Sequence, residues 1–145
     1  MDNEELIQLF EKAIKSKNSD EIEIVLTFSF SNSNFKDFEK YFLELLSYDW
    51  HSNHEDLARL FQQFGSSNSV DALFKATTKK FQYLDYDDSK AYARKCTWAL
   101  ADIGSCEAKE ALVELSKNED AEIADYAKKR VENWDNEKSR KRYFN

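Results

Sequence analysis

The sequence predicts an all-α protein, a short right-handed α-solenoid of seven to eight helices. Three observations predict it. Apolar residues recur every three or four positions along almost the whole chain. Proline is absent and glycine occurs twice in 145 residues, which excludes turn-dense β architectures. Those two glycines, Gly65 and Gly104, stand 39 residues apart in matching contexts, inside the period of helical-hairpin repeats.

The first helix carries Leu6, Phe10, Ala13 and Ile14 on one face, with Asp2 opening it and Glu5 three residues on. The stretch 21–30 alternates as a strand would, but no second strand candidate exists to pair with it. It is therefore read as a helix using Ile22, Val25, Leu26 and Phe30. Phe35, Phe38, Tyr41, Phe42, Leu45 and Leu46 make the next stripe. Ser52-Asn53-His54-Glu55 fits a reciprocal capping box with Ser52 opening a helix along Leu57, Leu60, Phe61 and Phe64. Further stripes are Val70, Leu73, Phe74 and Thr77; Tyr92, Cys96, Ala99, Leu100 and Ile103; Ala108, Ala111, Leu112 and Leu115; and Ile123, Ala127, Val131 and Trp134. Each suffices to dock on a neighbour. Both glycines follow the last apolar residue of a helix, the place of a left-handed terminator.

Lys and Arg number 21 against 28 Asp and Glu, a net charge of −7. That balance disfavours nucleic acid as a partner. No apolar run reaches the roughly 18–20 residues of a membrane span, so no membrane partner is expected. The acidic start Met1-Asp2-Asn3-Glu4-Glu5 lacks the basic opening and apolar stretch of a secretory signal. Two cysteines make no disulfide scaffold, so a cytoplasmic location is expected.

Trp98-Ala99-Leu100-Ala101-Asp102-Ile103-Gly104, then Glu107-Ala108-Lys109-Glu110-Ala111-Leu112, then Asp120-Ala121-Glu122-Ile123, resembles HEAT-like repeats. The resemblance covers roughly residues 50–134, in a helix–Gly–helix–Asn/Asp–helix order. It departs where the family often has proline just after the glycine: Cys106 and Glu107 stand there. It implies a single HEAT-like domain over 1–137, divergent over 1–48 and clearer over 49–134, with a basic tail at 138–145. The segments Asp49–Asp56 and Tyr83–Ser89, with 93–104, are similar to small bacterial HEAT-like immunity proteins that accompany antibacterial toxins. That likeness implies a stoichiometric inhibitor of a cognate toxin domain.

Tyr83-Leu84-Asp85-Tyr86-Asp87-Asp88 is the densest acidic and aromatic cluster. As a binding surface, its carboxylates would meet Lys and Arg of a basic partner and its tyrosines would supply rigid contact area. The plain alternative is a solvated loop with Asp88 capping the next helix. Its aspartates lack the glycine and terminal glutamate of a calcium loop. Asp49, Trp50 and His54 form the second candidate site. His51 and His54 are a thin metal signal, because His51 falls before the helix and their rings are expected to diverge.

Cys96 and Cys106 lack redox or zinc spacing and are expected to be buried and inert. Trp98 and Trp134 belong by default to the core, with Trp98 at the edge of its stripe. Lys138-Ser139-Arg140-Lys141-Arg142-Tyr143-Phe144 is expected to fray, or to fold back over the acidic body and dock Tyr143 and Phe144. No Gly-x-Ser-x-Gly elbow, phosphate cradle or acid/base pair stands out, so no catalytic activity, metal or cofactor is expected. The expected function is binding and neutralising a basic toxin domain through Asp85, Tyr86, Asp87, Asp88, Asp49, Trp50 and His54. A generic protein-binding scaffold is the competing expectation, and oligomeric state is open.

Overall fold

A computed structural model of the chain describes residues 2–30 and 35–144, and the backbone alone of Phe30. The expected contribution of the Phe30 side chain therefore lies outside the described residues. Eight α-helices are described: α1 (Asn3–Ser16), α2 (Ser19–Phe30), α3 (Phe35–Ser47), α4 (His54–Phe64), α5 (Val70–Thr77), α6 (Lys90–Ile103), α7 (Cys106–Leu115) and α8 (Ala121–Glu132). Short 3₁₀ segments lie at Ser67–Ser69, Gln82–Asp87 and Lys138–Arg140, and no strand occurs among the described residues. The chain divides into two compact units between Leu57 and Ala58, within α4.

The first unit is built around aromatic burial. In it α1 packs on α2 and α3. Phe10 is fully buried, with ring centroids 5.7 Å from Phe38, 5.6 Å from Tyr41 and 5.6 Å from Phe42. Asp2 caps α1 by accepting from the Glu5 N–H at 2.8 Å, as the sequence indicated. Segment 19–30 is helical despite its alternation. Ile22, Val25 and Leu26 share the buried face, while Ile24 and Phe28 are 55% and 43% exposed. Alternating apolar residues thus divide between two faces once the backbone coils. The hydroxyls of Thr27 and Ser29 donate to the Glu23 and Val25 carbonyls, both at 2.9 Å, so the polar residues of the pattern are satisfied locally.

The second unit packs through small residues. Helix α6 is its centre, meeting α5, α7 and α8, and α7 also meets α5 and α8. Ala93, Ala99, Ala101, Ala108 and Ala127 are buried at these crossings beside Leu100 and Leu112. Alanine allows close approach and good helix propensity together. Ser105 opens α7, its hydroxyl accepting from the Ala108 N–H at 3.2 Å.

The two glycines differ. Gly104 is left-handed at φ 75° and ends α6 as expected. Gly65 has no positive φ. Its N–H donates to the Phe61 carbonyl at 2.8 Å, and a Cβ there would sit 2.5 Å from that oxygen. Gly104 is required both by its dihedral and by the Lys141 side chain, whose Cβ would lie 2.3 Å from an added Cβ, whereas Gly65 is required by close approach alone.

The basic tail folds back within the second unit, held by its cations rather than its aromatics. The backbone N–H groups of Arg142 and Tyr143 donate to the carbonyls of Asp102 and Ile103, at 2.9 and 2.8 Å. Lys141 Nζ donates to the Ala101 carbonyl at 2.9 Å. The Arg142 guanidinium donates to the carbonyls of Phe61, Gln62, Gln63 and Gly65 at 2.6–3.1 Å. One strap thus closes the C-terminal ends of α4 and α6, where carbonyls lack helical partners and a positive charge is favoured. Tyr143 and Phe144 each remain 40% exposed, contrary to the expectation that they dock. Arg140 grips Asp102 with two hydrogen bonds at 2.9 and 2.8 Å, and this pairing holds its guanidinium pKa above the usual value. The guanidiniums of Arg130 and Arg140 lie over the Trp98 ring, at 3.6 and 4.7 Å from its centroid. Lys141 Nζ lies 4.0 Å over Trp134. Such contacts hold cations against ring faces.

Candidate functional site

The residues singled out from the sequence fall into separate units: Asp85–Asp88 in the second, Asp49, Trp50 and His54 in the first. A third feature, a groove between α5 and α7, was not anticipated.

Segment 82–88 is the 3₁₀ segment Gln82–Asp87 with Asp88 after it, anchored by buried Phe81 and Leu84. Phe81 packs edge-on against buried Tyr92, centroids 5.7 Å apart. The far end of the segment is fixed by two consecutive left-handed residues, Asp88 at φ 56° and Ser89 at φ 61°. The capping carboxylate is Asp87 rather than Asp88: its Oδ2 accepts from the Ala91 N–H in the first turn of α6 at 3.0 Å. Asp88 instead pairs with Lys80 at 3.0 Å, with both side chains more than half exposed. Asp85 is exposed, and Tyr86, at 74%, is the most exposed large apolar side chain among the described residues. Of four candidates, two thus have structural or ion-pair duties and two face outward.

The cluster at 48–56 is mainly structural. Helix α4 opens one residue later than expected: Asn53 supplies the first helical carbonyl, to the Leu57 N–H at 3.0 Å, and its amide donates to Asp56 at 3.2 Å. The two imidazoles converge, stacked with centroids 4.1 Å apart and planes at 19°. His51 Nε2 lies 2.7 Å from the Leu45 carbonyl, and His51 Nδ1 accepts from the Asn53 N–H at 3.2 Å. An N–H donor facing Nδ1 and a carbonyl facing Nε2 define the neutral Nε2–H tautomer. His54 Nε2 lies 2.6 Å from the Tyr48 carbonyl. The pair therefore ties the α3–α4 connection to carbonyls at the end of α3. His51 is 2% exposed, and burial lowers its pKa despite the Leu45 contact. Both nitrogens of His51 are engaged, and no group of three metal-ligating side chains occurs among the described residues. Trp50 is half-buried, stacked 5.8 Å from Tyr48, and Asp49 is exposed.

The groove has a volume of about 440 Å³. Val70, Phe74 and Ala111 give it an apolar floor, and Asp71, Glu107, Glu110 and Glu114 edge it, with Ser67 and Asn68 at one end. Asp71 pairs with Lys75 at 3.0 Å. Other ion pairs in the second unit join Lys80 to Asp88, Lys90 to Asp120, Lys129 to Asp125, Arg130 to Glu137 and Arg140 to Asp102. None of these uses Glu107, Glu110 or Glu114. Lys109, between them in sequence, lies over the Trp134 ring at 5.6 Å. The signal for this edge was present as acidic residues at i, i+3 and i+7, one helical face. Its significance depends on α5 lying alongside.

Cys96 is fully buried, and burial raises its thiol pKa to about 12. Cys106, expected to be buried, is exposed at the first turn of α7. No helix among the described residues is long and apolar enough to cross a membrane. Compared with family models, with curated proteins and with solved structures, the chain gives no match.

Proposed function

We propose that this protein works by binding, without chemistry of its own, and that its partner is a cationic protein. The observation that carries the reading is Tyr86, 74% exposed between outward Asp85 and the Asp88–Lys80 pair on a turn pinned at both ends. A tyrosine has few rotatable bonds to freeze on binding, and neighbouring carboxylates select a basic counterpart. The resemblance to bacterial HEAT-like immunity proteins supports a narrower form, neutralisation of a cognate toxin domain by covering its active surface. In the second unit α5 meets α6 and α7, α6 meets α7 and α8, and α7 meets α8, a neighbour pattern that supports stacked HEAT-like hairpins.

The test is co-expression with the product of the adjacent reading frame, followed by purification of the complex and a toxicity assay. The expected result is a one-to-one complex with a basic protein, whose toxicity this chain suppresses. Association should slow as ionic strength rises, because exposed charges are screened. Tyr86→Ala with Asp85→Lys should weaken the complex while helical content stays the same. Unchanged affinity in that double variant would remove segment 82–88 from the interface.

A further inference from the structure

We infer that the α5–α7 groove is the seat for a basic amphipathic helix of a protein partner. This deepens the reading above and rests on it, but on a surface separate from segment 82–88. Two independent properties of the groove define the occupant. The floor of Val70, Phe74 and Ala111 is apolar and concave, so the inserted face must be apolar. Along one edge, Glu107, Glu110 and Glu114 occupy successive turns of α7, spanning about 10 Å at the helical rise. A partner helix with Lys or Arg at the same i, i+3, i+7 spacing beside its apolar stripe matches that edge.

Other occupants fit less well. The carboxylates run along an edge and do not converge into a three-ligand cluster, which favours spaced ammonium and guanidinium groups over a bound metal ion. The chain's own basic tail is already engaged, its Arg140, Lys141 and Arg142 bonded to Asp102 and to helix-end carbonyls.

The probe is a synthetic helical peptide of Leu and Lys, about four turns long, with a Leu face flanked by Lys, and a twin with Glu in place of Lys. Binding is followed by amide chemical-shift changes and by titration calorimetry on the whole chain. The Lys peptide is expected to shift residues 67–74 and 107–114. The variant Glu107→Gln/Glu110→Gln/Glu114→Gln, checked for unchanged helical content, should bind it about tenfold more weakly. Phe74→Ser should weaken it without altering the surface charge, and the Glu twin should not bind. Shifts concentrated in the first unit, or equal affinity for wild type and the triple variant, would overturn the inference. If the peptide fails here but the co-purified basic protein still binds, the groove assignment falls alone. If the peptide seats in the groove and no basic protein partner is found, the groove stands and the function proposed above fails.

Discussion

The two units of this chain solve the same problem with different materials. Residues 1–57 carry thirteen Asp and Glu against five Lys and Arg, a net −8, while residues 58–145 carry fifteen against sixteen, a net +1. The whole-chain charge of −7 therefore belongs to the first unit. The first unit buries interlocked rings of Phe10, Phe35, Phe38, Tyr41 and Phe42. The second buries alanines at its helix crossings and closes its helix ends with Lys and Arg from the tail. Ring burial needs volume and tolerates a charged exterior. Close alanine packing leaves carbonyl ends near one another, and cations spent on those ends are no longer on the surface. Net charge alone thus misplaces acidity: in the second unit it survives locally, where cations are committed elsewhere.

The largest expected effect comes from breaking the ring cluster. Phe10→Ala should cost about 3–5 kcal/mol, read as a loss of hydrogen-exchange protection concentrated in α1, α2 and α3. Equal loss in α6 and α7 would mean the two cores are not distinguished as described.

Next is the strap. Arg142→Ala removes the guanidinium from the carbonyls of Gln62, Gln63 and Gly65 and leaves that of Phe61 with the Gly65 N–H alone, and should cost about 2–3 kcal/mol in urea unfolding. Tyr143→Ala should cost well under half of that, since its ring is 40% exposed. The reverse order would return the docking role to the aromatics.

The third effect is a pH dependence seated in the first unit. Because burial lowers the folded-state pKa of His51, its protonation favours the unfolded chain. Its stabilising contribution is whole above the unfolded value of about 6.5 and declines as pH falls below it, by at most ~1.4 kcal/mol per pH unit, levelling off below the folded pKa. His51→Gln should flatten that slope in pH-dependent unfolding. An unchanged slope would assign it to other groups. The smallest effect is Asp71→Asn, which breaks an exposed pair with Lys75 and should change stability by less than about 0.5 kcal/mol.

Helices were readable wherever burial followed the 3.6-residue period, even through the alternating stretch 21–30, since a lone strand would leave its backbone unpaired. Gly104 was readable because a left-handed end needs glycine. The different use of Gly65 was not, because close approach to the Phe61 carbonyl leaves no sequence mark. The exposed pair Asp85 and Tyr86 was legible as composition. The division of labour that makes Asp87 a cap and Asp88 an ion-pair partner depends on two left-handed residues, neither of them glycine. It also bears on mutagenesis: reversing the charge of Asp87 would disturb the start of α6, so Asp85 and Tyr86 are the informative positions. The convergence of His51 and His54 followed from α4 opening at His54, one residue beyond the apparent box. The tail contacts and the α5–α7 groove join residues far apart in sequence, and no local pattern specifies such pairings.

The proposed contact of a cationic protein with outward Tyr86 beside Asp85 is tested by parallel capture from the source cell with wild type and with Asp85→Lys/Tyr86→Ala as baits, quantified by mass spectrometry. One basic protein should be retained by wild type and depleted at least tenfold on the variant. The same basic protein held equally by both baits would place the contact elsewhere.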